Sequence, residues 1–458
     1  MYFYNKITHN ITGDFMYNYL LKIFNNSSDL IYKEIDNIKL IYLDSLCDSN
    51  KINDYILKAI NNNKRIFLRD NITGPSVIYI NDINKAIDYL YNGFALIYDD
   101  NDMLVCEVKA NLYRSIDIPT SESSINGPKD CFNESILINL GLIKRRIKTN
   151  KLINVDYELG SITKNKVSIL FIDGIVKKKY VRTIKKYFNK FKFNSMCEIE
   201  VLSQQFDNKN FFPTVMKTER PDTAVNALLD GKIVIIGDNT PYALILPSFL
   251  IDFINPIGDK YVKSNNVNFL KIIRFICFVL TMTLPGIYIS LTNFSPETVP
   301  LKLLVSFQNG RSGVPFPSYI ECVFLILLCS ILRESDIRFP SSYGSSISIL
   351  GALILGEAAV NANVVSPIMI IIVGITFITG LIFDNGDMID GLRFYRFLVL
   401  LFSILFGFYG LIIACIGILV KLCSINSLGE PYLFPLSPFN KKYFSKTMIK
   451  RNKQWRRY

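Results

Sequence analysis

The order of apolar and polar positions divides the chain into two unlike halves. Up to about residue 264 the apolar residues come in short runs broken every few positions by charges. Beyond it, Phe275 to Pro296, Ala358 to Phe383 and Phe397 to Val420 contain no Asp, Glu, Lys or Arg. Each stretch matches the roughly 20 apolar residues needed to cross a bilayer. The pattern excludes a wholly soluble enzyme. It predicts a soluble α/β half followed by an α-helical polytopic membrane domain.

Within the first half, Lys85 to Glu107 aligns without gaps with Thr223 to Ile245. Each copy reads as a helix ending at Gly93 or Gly231, the residue that accepts a left-handed helix end. An apolar run follows (Phe94–Tyr98; Ile233–Ile236), then a turn rich in Asp and Asn, then a second apolar run. That order predicts helix, strand, turn, strand, twice. Val167 to Gly174 reads as a further strand and Lys177 to Lys192 as a basic helix. The expected organisation is a helical N-terminal segment over 1–60, one α/β subdomain over 60–150 and a second over 151–264. A membrane domain over 265–425 and a basic tail over 426–458 follow.

The membrane domain shows five apolar segments: Phe275–Asn293, Tyr319–Leu332, Ser345–Ala362, Val364–Phe383 and Phe397–Val420. The second has little uncharged length between Glu321 and Arg333, too little to span. Both ends carry basic flanks that favour the cytoplasmic side, so the number of crossings is even. Four crossings and one short re-entrant or interfacial segment satisfy this. The ionisable residues Glu321, Arg333, Glu334, Asp336, Arg338 and Glu357 gather in the central third, and Asn361 shares a helix face with Glu357. A charge at the bilayer centre costs about 2.5–3.5 kcal/mol, so such residues face protein or water. Glu357 therefore sits either in a packed helix, neutralised or paired with an arginine, or on a water-facing stripe.

Composition narrows the chemistry. The chain has a single histidine, His9, and nine cysteines with no C-x-x-C pair. No nucleophile–base pair, phosphate loop or dinucleotide fingerprint is present, so no catalytic residue, metal or cofactor is expected. The polar opening from Met1 to Asp29 lacks a signal-peptide pattern, which places the soluble half in the cytoplasm. Of the net charge of +12, eight positive charges lie between Lys441 and Arg457 with no acid among them. Directly after an apolar segment, such a tail reads as an anchor on anionic lipid rather than a nucleic-acid site. In the soluble half, Thr218-Glu-Arg-Pro-Asp222 reads as a helix entry. Glu219, Arg220, Pro221 and Asp222, with Gly231 and Pro241, form a candidate structural motif.

These motifs, taken together, resemble the GerA family of spore germination proteins, the A subunits of germinant receptors. Gly127-Pro-Lys-Asp-Cys-Phe132 and Leu142-Ile-Lys-Arg-Arg-Ile147 are similar to the family's GP-x-x-x-F and LIR-x-RI segments. Thr218–Asp222, Leu228–Ile236 and Pro241 resemble its TERPD, L-x-GRVAI and P segment. Val314–Pro317 with Glu321, Leu332-Arg-Glu334 and Arg338-Phe-Pro340 are similar to its central signature, and Ser348–Val360 with Val365-Ser-Pro367 to the next. Gly429–Leu433 resembles its terminal GxPYL. The chain departs from the pattern at Ile326 and Ser330, where acids are usual, at Ser335-Asp336, where Ala-Gly is usual, and at Glu357, where Gln is usual. The resemblance implies a multi-pass protein of the inner spore membrane that responds to small nutrients. It implies a homo-oligomer acting with a permease-like B subunit and a lipoprotein C subunit, and forming a ligand-gated cation channel. Glu321, Arg333, Glu334, Arg338, Glu357 and Asn361 are then candidates for a pore or gate. A non-conducting scaffold and a sporulation-specific paralogue are the alternatives.

Overall fold

The computed structural model describes residues 27–35, 38–62, 72–110, 122, 127–190, 198–207, 210–338 and 356–444, apart from 73, 81, 100, 101 and 442. His9, the opening segment to residue 26, Ser345 to 355 and the basic tail beyond 444 lie outside the described residues. The chain divides into two units: one holds 1–208 and 215–247, the other 209–214 and 248–458. The change of unit at Pro247 falls upstream of the boundary expected at 264.

The first unit contains two five-stranded antiparallel sheets of the same topology. In the first, β1 (Leu30–Ile35) and β2 (Ile38–Leu43) form a hairpin, β3 (Val77–Tyr79) lies at the far edge, and β4 (Phe94–Asp99) and β5 (Asp102–Glu107) fill the centre. The order β1-β2-β4-β5-β3 recurs as β6-β7-β9-β10-β8, with β6 (Leu152–Leu159), β7 (Asn165–Ile172), β8 (Met216–Thr218), β9 (Ile233–Gly237) and β10 (Ala243–Leu246). The aligned repeat is thus the centre of a larger one. Residues 30–43, expected to be helical, are strands. Leu40 to Leu43 are all buried between layers on both faces of the sheet, and a run buried on both faces carries no alternation to reveal a strand.

Helices cover the first sheet on both sides. A helix runs through Ser49–Ile52, a π-turn at Asn53–Leu57 and Lys58–Asn62 (α1), and α2 is Ile83–Tyr91. Side chains of a strand alternate between faces. Leu40, Tyr42, Ala95, Ile97, Leu104 and Cys106 meet Ile52 and Ile56 of α1, while Ile41, Leu43, Leu96, Tyr98, Met103 and Val105 meet Ala86 and Leu90 of α2. In the second sheet, α3 (Ile136–Arg146) and α6 (Pro221–Leu229) pack on β7, β9 and β10; α4 (Lys178–Lys190) and α5 (Glu200–Asp207) fall between those helices in sequence. Gly93 and Gly231 end α2 and α6 at φ +80° and +82°. A Cβ there would meet Leu46 O at 2.9 Å and Ile175 O at 3.0 Å, each in the segment after the matching hairpin. One buried ion pair joins the two repeats: Lys144 of α3 donates to Asp29, which also accepts from Ser45 Oγ at 2.6 Å and Ser27 Oγ at 2.8 Å. Burial pushes the Asp29 carboxyl up, but the Lys144 charge and these donors outweigh it and hold it below its usual range.

The second unit is helical: α7 (Leu250–Ile254), α8 (Ser264–Ile289), α9 (Leu301–Arg311), α10 (Ser318–Arg338), α11 (Pro367–Gly380) and α12 (Gly386–Ser424). Among the described residues, Asn265–Phe294 and Gly386–Ser424 are long and apolar enough to cross a membrane. Their outward side chains, such as Ile272, Ile276, Leu405 and Ile413, are exposed and apolar, as suits a lipid or protein surrounding rather than water. Tyr319–Leu332, expected as a short re-entrant or interfacial segment, lies inside the continuous 21-residue helix α10.

The directions of these helices follow from their contacts. Phe212 stacks on Tyr395 and approaches Phe278, a Cβ on Gly286 would lie 2.7 Å from Ser403 Oγ, and Phe294 sits at Gly407, so α8 and the first part of α12 run parallel. Thr281 bonds Thr379, and Phe278 meets Phe383, so α11 runs against α8. Glu321 lies at the start of α11 and Arg333 near its end, so α10 and α11 run the same way. The single crossing expected for Phe397–Val420 is folded in two. Gly407 has φ +57° and ψ −136°, open to glycine alone. A Cβ on Gly410 would lie 2.0 Å from the Phe402 carbonyl, although eight residues of straight helix cover about 12 Å. The chain turns back there, and Tyr432 ends beside α7, its carbonyl accepting from Leu250 N at 3.1 Å.

Candidate functional site: polar residues buried in the helical unit

An apolar helical unit tolerates inward polar groups only when they find partners. Ser366 caps α11, with Pro367 in the first turn where its missing N–H is harmless. The Ser366 N–H and Oγ both donate to Glu321 Oε2, each at 2.9 Å. On the other side, Arg311 Nη2 at the end of α9 lies 3.3 Å from Glu321 Oε1. Glu321 is therefore buried, at 1% exposure. It ties α9, α10 and the start of α11, where the positive end of the helix dipole favours a carboxylate.

Further polar pairs continue inside the unit: Ser318 Oγ donates to Asn293 Oδ1 at 2.6 Å, and the Thr281 and Thr379 hydroxyl oxygens lie 3.0 Å apart. Arg333 of α10 shares a cavity wall with Arg393 and Arg396 of α12. Glu334, one residue on, is exposed. Arg338 closes α10, and its side chain lies outside the described residues. Glu357 and Asn361 are exposed on a helical turn at 356–361, one turn apart. Within a single chain the candidates do not share one buried site. Glu321 is an inward tie, whereas Glu334, Glu357 and Asn361 face outward.

Sequence reasoning missed Arg311 and Arg396. Arg396 carried a readable signal, since it stands directly against the uncharged run beginning at Phe397. Arg311 stands ten residues before its partner and carried none.

In the first unit, the TERPD segment acts as a clamp. Arg220 Nε and Nη2 donate to the two Asp222 oxygens at 3.0 and 2.8 Å, a bidentate geometry. Arg220 also donates to Pro128 O at 3.3 Å, and Phe132 N donates to Glu219 O at 2.7 Å. Pro221 opens α6, Gly231 ends it, and Pro241 follows the β9–β10 turn. Glu219 and Arg220 thereby hold the 127–132 segment at the start of α6.

Fold and site define a bipartite chain: a duplicated antiparallel α/β unit, then a helical unit with an apolar exterior and charged groups inside. The chain belongs to the Bacillus/Clostridium GerA spore germination protein family, which matches residues 18–457. It is 34% identical to spore germination protein KA of Bacillus subtilis over 434 residues, covering 91% of this chain and 80% of that protein. It is 31% identical to spore germination protein GerQA of Bacillus cereus, covering 92% of this chain and 86% of that one. The crystal structure of the N-terminal domain of the A subunit of the Bacillus megaterium germinant receptor GerK3 aligns over 53% of this chain and 97% of that domain, at 25% identity and a TM-score of 0.39.

Proposed function

We propose that the chain is the A-type subunit of a nutrient receptor of bacterial spores and couples nutrient arrival to cation movement across the inner spore membrane. The α/β unit and the C-terminal tail lie on the cytoplasmic side, and the helical unit crosses the membrane several times. The parallel run of α10 and α11 calls for a return crossing between them, to which the sequence assigns Ser345–Ala362. With α12 folded at Gly407, the number of passes stays even, and both ends share one side. The working form is a homo-oligomer associated with a permease-like B subunit and a lipoprotein C subunit.

The observation that carries this reading is Glu321, an acid placed inside an apolar helical unit and held by one helix start and one arginine. Such a tie joins three elements and moves as they move, which suits a gate. Glu334, Glu357 and Asn361, facing outward, are the groups available to line a path in an oligomer, and rings of Glu favour cations. The inward position of Glu321 also supports a second reading, a scaffold in which the buried charges only hold helices together. Deleting the chain from spores separates receptor from bystander. The receptor reading predicts loss of the response to at least one nutrient and its return on complementation. An unchanged response to every nutrient tested overturns it.

A further inference from the structure

Between α8, α10, α11 and α12 lies a cavity of about 20 Å³, room for one water-sized group. Its wall includes Arg333, Arg393 and Arg396, with Ser330, Thr281 and Phe377, and contains no acid. Arg393 has a counter-ion at the exposed rim, Asp390 Oδ1 at 3.1 Å. Arg396 makes no ion pair or hydrogen bond among the described residues. It is 7% exposed, and its Nε is buried without a hydrogen-bond partner.

A guanidinium keeps its charge in proteins, and buried charges are paired. The hydroxyls in the wall do not supply that pairing. Ser330 Oγ and Thr281 Oγ1 donate their single protons to Ile326 O and Cys277 O, each at 2.8 Å, and offer a guanidinium only neutral lone pairs. The C-terminal end of α11 approaches through Phe377 and Gly380, but a helix end offers only about half an elementary negative charge. Arg396 thus brings to the wall a charge with no partner among the described residues, and the cavity has space for one more atom group.

We propose that this cavity is a site for a single small anion, a halide or one oxygen of a phosphate-type group, held chiefly by Arg396 and reached past Arg393. The anion neutralises Arg396 and clamps α10 to α12, so its occupancy stabilises the helical unit. Its source is either a dissolved ion or the phosphate of a lipid headgroup lying against the same opening.

The test uses the purified full chain and thermal unfolding. Sodium chloride, and separately inorganic phosphate, replace sodium gluconate at constant ionic strength, in nanodiscs of neutral phosphatidylcholine and in nanodiscs containing phosphatidylglycerol. The site predicts a saturable rise in melting temperature of about 2–5 °C, absent in Arg396→Gln and displaced several-fold in midpoint in Arg393→Gln. A response alike in both lipids assigns the site to a dissolved ion. A raised melting temperature in phosphatidylglycerol that abolishes the response assigns it to the lipid phosphate. No saturable response and no lipid effect overturns the proposal, as does a response unchanged in Arg396→Gln. Should Arg396→Gln fail to fold, an unchanged midpoint in the rim variant Arg393→Gln overturns it.

Discussion

Replacing Glu321 with Ala removes the acceptor of two buried donors and the counter-charge of an arginine in one step. The Ser366 N–H and Oγ, both 2.9 Å from Glu321 Oε2, lose their partner inside the unit. Arg311, whose side chain is 26% exposed, loses its ion pair. Removing one partner from a buried charged pair costs about 3–5 kcal/mol, and hydrogen bonds to a charged acceptor about 1.5–3 kcal/mol each. These overlap, so about 3–5 kcal/mol is the expected total for Glu321→Ala. For a unit of this size each kcal/mol moves the melting temperature by about 2–4 °C, giving a fall of about 6–20 °C. Glu321→Gln keeps an acceptor oxygen for both Ser366 donors but removes the charge facing Arg311, and is expected to lose only about 1–2 kcal/mol. Replacing both charges, as Arg311→Met with Glu321→Met, is expected to be less harmful than Glu321→Ala, because no uncompensated charge remains. Scanning fluorimetry of the purified full chain in detergent reads all three. A Glu321→Ala protein melting within a degree of the parent refutes the tie, and so does a double variant that melts below Glu321→Ala.

Four shorter expectations follow from other parts of the fold. Asp29→Asn is expected to lower the stability of the α/β unit by about 3–5 kcal/mol at neutral pH. Because the folded carboxyl titrates below its usual 3.8, the stabilisation is complete above the unfolded value and fades as pH falls through the folded one; the pH–stability curve of Asp29→Asn should therefore be flatter below about pH 4, and parallel curves would contradict the pair. Gly407→Ala places a Cβ 2.6 Å from Phe294 Cγ at a φ of +57°, and a loss of at least about 1–3 kcal/mol in a melt is expected. Burial pushes the Cys47 thiol up to about 12 and Cys106 to about 11, so mass spectrometry should find neither modified by iodoacetamide at neutral pH until the protein is denatured. Purified chain is expected to hydrolyse no nucleotide; turnover abolished by a point substitution in the α/β unit would contradict this.

The parts of the fold legible in the sequence were those with local punctuation. Gly93 and Gly231 ended their helices as expected because the left-handed position selects glycine, and the Asp- and Asn-rich turns separated β4 from β5 and β9 from β10. The hairpin β1–β2 was not legible. Its outer strand carries Lys33 and Glu34, and its inner strand is buried on both faces, so neither shows an alternation. The fold at Gly407 was hidden for a different reason. Phe397–Val420 has the composition of one straight span, and its three glycines, Gly407, Gly410 and Gly417, are ordinary in such a run, with nothing to mark Gly407 as the point of reversal. At the site, a charge beside an apolar run marks a residue that needs a partner, but the partner's identity is tertiary. Glu321 was visible as a costly acid; Ser366, 45 residues away, and Arg311 were not visible as its partners.

The most direct test of the cation path is nutrient-triggered potassium release from spores carrying Glu334→Ala or Glu357→Ala, with the amount of receptor measured in the same spores. Altered potassium release at parental receptor levels is expected, with Glu357→Gln mild because it keeps the polar side chain. Unchanged release in both Ala variants, at equal receptor levels, would contradict the path and leave the helical unit as a scaffold.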